Sequence, residues 1–122
     1  MEILRERRRI KEKVIEKVSW WAKGIPLKAT VILIGSYARG DFNLWSDIDV
    51  MMIAEFNSRP IERIKNIDHP PGLEVIPLTP KEFRRLAERR NPLALEALSR
   101  GIVLRDDLNI GEQVKDISAK ST

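Results

Sequence analysis

Residues 35–49, GSYARGDFNLWSDID, contain the groups of this chain that are best suited to chemistry. Gly35 and Ser36 end one apolar segment, and Asp47 and Asp49 begin the next, with ten residues between the two pairs. Small residues allow backbone N–H groups to approach phosphate oxygens closely. Two carboxylates on one side of a strand can hold Mg²⁺ against the same phosphates. The segment therefore predicts a site for a nucleoside triphosphate.

The two aspartates are expected to share metal ions. On a strand, the side chains of Asp47 and Asp49 point to the same side, while that of Ile48 points to the other. Adjacent like charges raise the pKa of at least one carboxyl unless a cation neutralises them. The apolar residues that follow (VMMIA) place these acids at the end of a buried strand, where unpaired charge is costly. Bound Mg²⁺ would relieve both effects, although Asp-x-Asp alone is common and also fits a turn before a strand.

The Gly-Ser pair is expected to contact phosphate. Gly35 closes a predicted strand, and a short helix is predicted at residues 37–40, so that unsatisfied N–H groups would attract an anion. The Ser36 hydroxyl and the Arg39 guanidinium would strengthen this binding. An ordinary strand-to-helix turn with Ser36 as N-cap fits the same residues. The pattern matches neither the P-loop nor the Rossmann glycine pattern.

The predicted elements alternate between helix and strand, which predicts an α/β fold with a small sheet of three or four strands packed against helices. Helices are predicted at residues 2–22, 37–40, 80–89 and 92–99, with two further turns after Pro60, and strands at residues 29–34, 47–54, 73–78 and 102–104. Pro77 indicates that the third strand lies at an edge or ends early. We expect one domain over residues 1–105, followed by a tail, residues 106–122, that contacts a partner or is disordered.

Composition excludes several classes of protein. The 122 residues contain no cysteine and one histidine (His69), which excludes disulfides, thiolate metal sites and His-rich metal sites. Neither a membrane span nor a signal peptide is evident, so we expect a soluble cytoplasmic protein. Residues 1–23 contain eight Lys/Arg and four Glu. Because acids interleave the bases, we interpret this helix as a solvated face rather than a nucleic-acid surface.

The order and spacing of Gly35-Ser36, Ala38-Arg39-Gly40 and Asp47-x-Asp49 resemble the active-site signature of the nucleotidyltransferase superfamily that includes DNA polymerase beta. The layout over roughly residues 10–105, including the later ALSRGIVLRDD segment, is similar to the minimal nucleotidyltransferases of bacteria and archaea. These are small proteins that are often paired with a HEPN-domain partner. The resemblance implies a fold like the palm domain of polymerase beta.

The resemblance also implies two-metal catalysis with a third carboxylate on a neighbouring strand. Glu74 matches that position by layout, although many relatives have Asp there, and Asp68 in the preceding loop is a weaker candidate. Asp47 and Asp49 would hold Mg²⁺ on the triphosphate. Asp49 and Glu74 would share a second ion that activates the acceptor hydroxyl, with Glu74 available to accept its proton.

The same resemblance assigns the phosphate contacts and the reaction. Gly35 and Ser36 would hold the β and γ phosphates, and Arg39 would offset charge on the leaving pyrophosphate. The reaction implied is transfer of a nucleoside monophosphate to an acceptor hydroxyl, and AMP from ATP is the first candidate. The chain is too short for the helical substrate-binding domain of larger relatives. The acceptor is therefore expected on a partner protein, on a second copy of the chain or on a small molecule at an interface.

Similarity to minimal nucleotidyltransferases favours an antitoxin that transfers AMP to a tyrosine of a HEPN toxin. One alternative is a catalytically inactive module that neutralises its partner by contact alone, against which the intact carboxylates argue. The other is a subunit that modifies a small molecule, such as an aminoglycoside hydroxyl. An acidic pocket or an added helical domain would favour that alternative, and neither is visible in the sequence.

Overall fold

The computed structural model describes residues 2–43 and 45–113. The elements are α1 (Glu2–Lys23), β1 (Ala29–Ile34), α2 (Gly35–Arg39), β2 (Ile48–Ala54), β3 (Leu73–Leu78), α3 (Pro80–Glu88), α4 (Pro92–Arg100), β4 (Ile102–Asp106) and α5 (Ile110–Gln113). One 3₁₀ turn, Pro60–Glu62, lies between β2 and β3. The predicted alternation of helices and strands is confirmed.

The four strands form one mixed sheet in the order β3-β2-β1-β4. β1 pairs antiparallel with both β2 and β4, whereas β2 and β3 are parallel. Pro77 lies in the edge strand β3, where a residue without an N–H costs the ladder least. A small mixed sheet packed with helices is the fold that the sequence predicted.

Helices cover both faces of the sheet, which explains why all six residues of β1 are buried. Alternate residues of the strands point to opposite faces. On one face, Leu33 and Val50 pack in a cluster with residues of α1 and α2. On the other face, Ile34 and Met51 pack with Phe83 of α3 and with alanines of α4. The end of the sheet where β1 stops and β2 begins therefore lies between two layers of helices.

The long helix α1 is joined to the rest of the domain by polar contacts as well as by its apolar stripe. Arg7 Nη1 donates to the carbonyl of Phe42 (2.7 Å), and Lys11 Nζ donates to the carbonyl of Ala38 (3.0 Å). Trp21 Nε1 donates to the carbonyl of Asp68 (2.6 Å), whereas the neighbouring Trp20 is 81% exposed. Of the two adjacent tryptophans, Trp21 packs against the domain and Trp20 faces solvent.

The prediction of a two-turn helix after Pro60 was wrong. Only the 3₁₀ turn Pro60–Glu62 forms, and the hydrogen-bonded turns that follow it do not make an α-helix. Ile61 is 85% exposed, while Ile67 packs against the core on the α1 side of the sheet. Apolar spacing alone does not overcome the cost of helix nucleation in so short a segment.

Two element boundaries near the predicted site also differ from the sequence prediction. α2 begins at Gly35 rather than at residue 37, and it ends where Gly40 adopts φ 94°. β2 begins at Ile48, so Asp47 precedes the strand. The conformation of Asp47 is therefore not set by the sheet ladder.

The chain beyond the predicted boundary at residue 105 continues to pack on the domain as far as it is described. β4 extends to Asp106, whose carboxylate accepts from Thr30 Oγ1 (2.7 Å) and from the N–H of Ile110 (3.1 Å). Asp107 accepts from the N–H of Ala29 (3.1 Å), and Ile110 is buried. The remainder of the predicted tail, residues 114–122, lies outside the described residues. Within the described residues, no helix is both long and apolar enough to cross a membrane.

Candidate functional site

Two of the predicted carboxylates, those of Asp49 and Glu74, lie side by side at the end of the sheet where β1 stops. Asp49 is the second residue of β2 and pairs with Ile34 of β1 on one side and with Glu74 of β3 on the other. Paired residues of neighbouring strands point to the same face, so the side chains of Asp49 and Glu74 lie side by side on the α3–α4 face. Glu74 is exposed, while Asp49 is partly buried. The sheet register thus brings together two carboxylates that are 25 residues apart in the sequence.

Asp47 lies next to this pair but outside the strand. It is exposed, and the adjacent backbone N–H of Ile48 donates to the carbonyl of Gly72 (2.9 Å), which closes the end of the β2–β3 ladder. The position of its carboxylate therefore depends on the loop that precedes β2 rather than on sheet pairing. The expectation that both aspartates lie on the strand is correct only for Asp49.

The carboxyl group of Asp49 is affected by burial and by the charges around it. Burial raises the pKa of its carboxyl, and the negative charges of Asp47 and Glu74 raise it further. The charge of Glu96, on α4, acts in the same direction, while that of Arg39 lowers the pKa of Asp49. This end of the sheet therefore holds excess negative charge, which a cation would stabilise.

Gly35 fits against the carboxylate of Asp49 because it has no side chain. Its φ is +76°, a left-handed conformation that favours glycine. A Cβ atom at this position would lie 2.6 Å from Oδ2 of Asp49 and 3.4 Å from its Cβ and Cγ. The residue that begins α2 and the central carboxylate of the candidate site are thus in direct contact.

Ser36 follows Gly35 in the first turn of α2, but it is not the N-cap that the alternative interpretation required. The N-cap position is Ile34, in extended conformation, and no side chain caps the helix. The carbonyl of Ser36 accepts from the N–H groups of Gly40 (2.7 Å) and Asp41 (3.1 Å). The beginning of α2 therefore lies beside the carboxylates without a side-chain acceptor for its first N–H groups.

Arg39 lies one turn further along α2 and is held by two carboxylates. Its Nε donates to Oδ2 of Asp41 (3.2 Å), and its Nη1 donates to Oε1 of Glu96. Neither partner was predicted from the sequence. Asp41 could have been found from its position two residues after Arg39. Glu96 is 57 residues away, and its only signal is an acid within the otherwise apolar turn LALEAL.

These acidic groups do not form a ready-made metal site. Within residues 2–43 and 45–113, no three Asp, Glu or His side chains are arranged so that they could hold a metal ion. Magnesium is commonly bound by one or two carboxylates together with substrate phosphates, so a complete protein cage is not required for it. The available donors are all oxygen atoms, which suits Mg²⁺.

The exposed aromatic residues and the histidine make no contact with this group of carboxylates among the described interactions. Trp45 is 91% exposed, so it does not pack in the core. A cavity of about 560 Å³ lies between the end of α1 and residues 66–70, and its walls include Trp20, Trp21 and Pro70. Asp68, the weaker candidate for the third carboxylate, lines that cavity, whereas the other predicted site residues do not. His69 is exposed, and its Nδ1 lies 3.4 Å from the carbonyl oxygen of Pro70.

Comparison with known families identifies the architecture. A family model described as the nucleotidyltransferase domain matches residues 7–103. The chain belongs to the nucleotidyltransferase domain family. The matched segment contains Gly35, Ser36, Arg39 and all three predicted carboxylates. The resemblance noted from the motif is therefore confirmed at the level of the family, and the family supports a transferase.

Solved structures share the fold of this nucleotidyltransferase domain. A candidate nucleotidyltransferase from Sulfolobus solfataricus has a TM-score of 0.53 and 20% sequence identity, with 84% of this chain and 86% of that chain covered. A toxin–antitoxin structure with AMP-PNP has a TM-score of 0.51 and 19% identity, with 91% of this chain and 88% of that chain covered. At such low identity these similarities show the fold alone. No curated protein matches the chain significantly.

Proposed function

We propose that this nucleotidyltransferase domain transfers a nucleoside monophosphate, AMP from ATP, to a hydroxyl group of a protein toxin with which it is paired. The observation that carries the proposal is the position of Asp49. It lies between Gly35, which begins α2, and Glu74 of β3, and the charges of two other carboxylates raise its pKa. The residues that we propose to bind phosphate and those that we propose to bind a cation therefore lie at the same end of the sheet.

In this proposal the residues of α2 bind the triphosphate. The backbone at Gly35 can approach phosphate oxygens closely, because no Cβ intervenes, and Ser36 adds N–H and hydroxyl donors. Arg39 offsets the negative charge that develops on the pyrophosphate as it leaves. These contacts orient the α-phosphorus toward an acceptor.

The residues of β2 and β3 act at the reacting end. Asp47, Asp49 and Glu74 would hold Mg²⁺, which when bound neutralises the triphosphate and makes an acceptor hydroxyl more acidic. Glu74 is exposed, and we propose that its carboxylate accepts the proton of that hydroxyl. The acceptor oxygen forms a bond to the α-phosphorus, the bond from the α-phosphorus to the bridging oxygen breaks, and pyrophosphate leaves.

The acceptor is proposed to lie on a partner protein. The described residues contain no helical domain beyond the elements that pack on the sheet, and the carboxylate end of the sheet is open enough to leave Glu74 exposed. The toxin–antitoxin structure of similar fold, with AMP-PNP, supports both a toxin partner and an adenine nucleotide. We propose a HEPN-domain toxin as this partner on the basis of the resemblance described above.

Labelled nucleotide provides the test. The pure protein is incubated with Mg²⁺, ATP labelled on the α-phosphate and HEPN-domain proteins of the same source. Parallel reactions contain an aminoglycoside or the protein alone. We expect label on the HEPN protein, no label with Asp47→Ala or Asp49→Ala, and unchanged labelling with Asp68→Ala, which alters an exposed carboxylate in a loop. Label transfer that survives both substitutions at the site would refute the proposed catalysis. ATP binding without transfer to any acceptor would favour the inactive binding module.

A further inference from the structure

We propose that Glu96 is a positioning residue, which holds the guanidinium of Arg39 beside the carboxylate end of the sheet and thereby sets the affinity for nucleotide phosphates. The inference rests on the proposed function and adds to it a residue outside the recognised motif. Glu96 lies on α4, 57 residues after Arg39, and its side chain contacts the Gly35–Asp49 segment through the Arg39 guanidinium.

The helix that carries Glu96 is fixed tightly against the sheet. Asn91 caps its N-terminus, with the N–H of Leu93 donating to Asn91 Oδ1 (2.9 Å). Ala94 and Ala97 are buried against the sheet, and small residues at these positions allow close approach. At the end of the helix, a Cβ atom on Gly101 would lie 2.5 Å from Cγ2 of Ile32. The backbone of α4 has little freedom to shift, so Glu96 is presented from a rigid support.

The contact between Glu96 and Arg39 differs from that between Asp41 and Arg39. The Glu96 side chain is 25% exposed and that of Arg39 33%, whereas Asp41 is 64% exposed and lies in a loop. Both hydrogen bonds of Arg39 are exposed to solvent, so the two acceptors differ in how firmly each is held rather than in the burial of the bond. Glu96 is the less exposed acceptor and stands on a helix packed against the sheet, so it is the partner that fixes where the guanidinium lies.

The placement of Arg39 matters because the helix that carries it begins at Gly35, against the carboxylate of Asp49. An arginine freed from Glu96 would be attracted toward the unneutralised carboxylates of Asp49 and Asp47. There it would compete with a cation for the same oxygens. With Nε and Nη1 committed to Asp41 and Glu96, the guanidinium stays beside the carboxylates and keeps Nη2 for a phosphate oxygen.

A double-mutant cycle tests the coupling between the two residues. The dissociation constant for ATP in the presence of Mg²⁺ is measured by calorimetry for wild type, Glu96→Gln, Arg39→Ala and the double variant. We expect Glu96→Gln to weaken binding roughly threefold to tenfold. In the Arg39→Ala background the same change should have less than about a twofold effect, because Glu96 then has nothing to position. Glu62→Gln, in the exposed 3₁₀ turn, is the matched control and should bind like wild type.

A structural role for Glu96 predicts a different outcome. In that case Glu96→Gln would lower the melting temperature and would weaken ATP binding equally with and without Arg39, which would overturn the positioning role. Glu96→Ala removes the acceptor completely, so it should weaken ATP binding more than Glu96→Gln does. This effect too should disappear in the Arg39→Ala background. Wild-type protein that binds no ATP would refute both this inference and the proposed function. Wild-type protein that binds ATP but transfers no label would refute only the transfer, and the cycle would still decide the role of Glu96.

Discussion

Replacing Gly35 with alanine tests the contact that joins the phosphate-binding turn to the carboxylates. The substitution adds one methyl group at a residue with φ +76°. That methyl carbon would lie 2.6 Å from Oδ2 of Asp49, well inside van der Waals contact. The Asp49 carboxylate must therefore rotate away, or α2 must move.

Gly35→Ala is expected to destabilise the fold in two ways, through its backbone conformation and through displacement of Asp49, and two other glycines allow these costs to be separated. A non-glycine residue in the left-handed region costs about 1–2 kcal/mol. Forcing the Asp49 side chain away from its preferred rotamer adds about 0.5–1.5 kcal/mol. Gly40→Ala and Gly72→Ala carry only the first cost, because their φ values are 94° and 83° and no atom lies within 4 Å of the added Cβ. We expect Gly35→Ala to be the least stable of the three by about 1 kcal/mol, or a few degrees in melting temperature.

Gly35→Ala is expected to differ from the two control variants more strongly in ligand binding than in stability. Thermal unfolding and calorimetric titration with ATP and Mg²⁺ are performed on all three variants. Gly35→Ala should lose more than about tenfold in affinity, since displacement of Asp49 removes a carboxylate from the cation-binding group. Gly72→Ala should bind like wild type. Equal stability and equal affinity in Gly35→Ala and Gly72→Ala would refute the argument that Gly35 is required by Asp49.

Three further predictions concern charge and burial. Asp49→Asn should raise the melting temperature at pH 7 without divalent cations. Because the folded-state pKa of Asp49 is raised, its ionised carboxylate destabilises the fold at pH 7. The gain in melting temperature of Asp49→Asn over wild type should therefore vanish as the pH falls toward 3.8. A lower melting temperature of Asp49→Asn at pH 7 would contradict this reasoning. Glu82→Gln should destabilise the protein by about 1–2 kcal/mol in urea unfolding at pH 7, a modest value because the Glu82 side chain is 39% exposed. The hydrogen bonds from Arg63 and from the capping box at Thr79 lower the pKa of Glu82. The ionised carboxylate therefore stabilises the fold above pH 4.5, and this stabilisation is lost as the pH falls below that value. The difference in stability between wild type and Glu82→Gln should shrink over the same pH range. Trp20→Ser should leave the melting temperature nearly unchanged, because Trp20 is 81% exposed, and a marked drop would show that Trp20 packs in the fold.

Much of the fold could be predicted from local patterns. The β-branched segment at residues 29–34 and the apolar segment after Asp49 have the composition of buried strands, and both are buried on the two faces of the sheet. The capping box at Thr79 was readable because its two halves lie three residues apart, and both hydrogen bonds form. The segment after Pro60 was not predictable in this way, because its isoleucines have helical spacing but do not share one buried face: Ile61 is 85% exposed, whereas Ile67 packs against the core.

Only part of the candidate site could be predicted from the sequence. Glu74 was assigned by its place at the start of the third strand, and the parallel register sets it directly beside Asp49. The contact of Arg39 with Glu96 was not anticipated, since a contact across 57 residues leaves no periodic signal in the chain. The displacement of Asp47 from the strand depends on how the preceding loop closes, which local propensity does not specify.

The sequence by itself determined the family, the alternation of helices and strands, and the residues able to bind phosphate and a cation, because these depend on residue type and short spacing. Only the tertiary structure decided which carboxylates meet. Sheet register placed Glu74 against Asp49, and the packing of α4 on the sheet brought Glu96 to Arg39. Such contacts arise from the burial of apolar faces far apart in the chain, and the charges carried on those elements are brought together as a consequence.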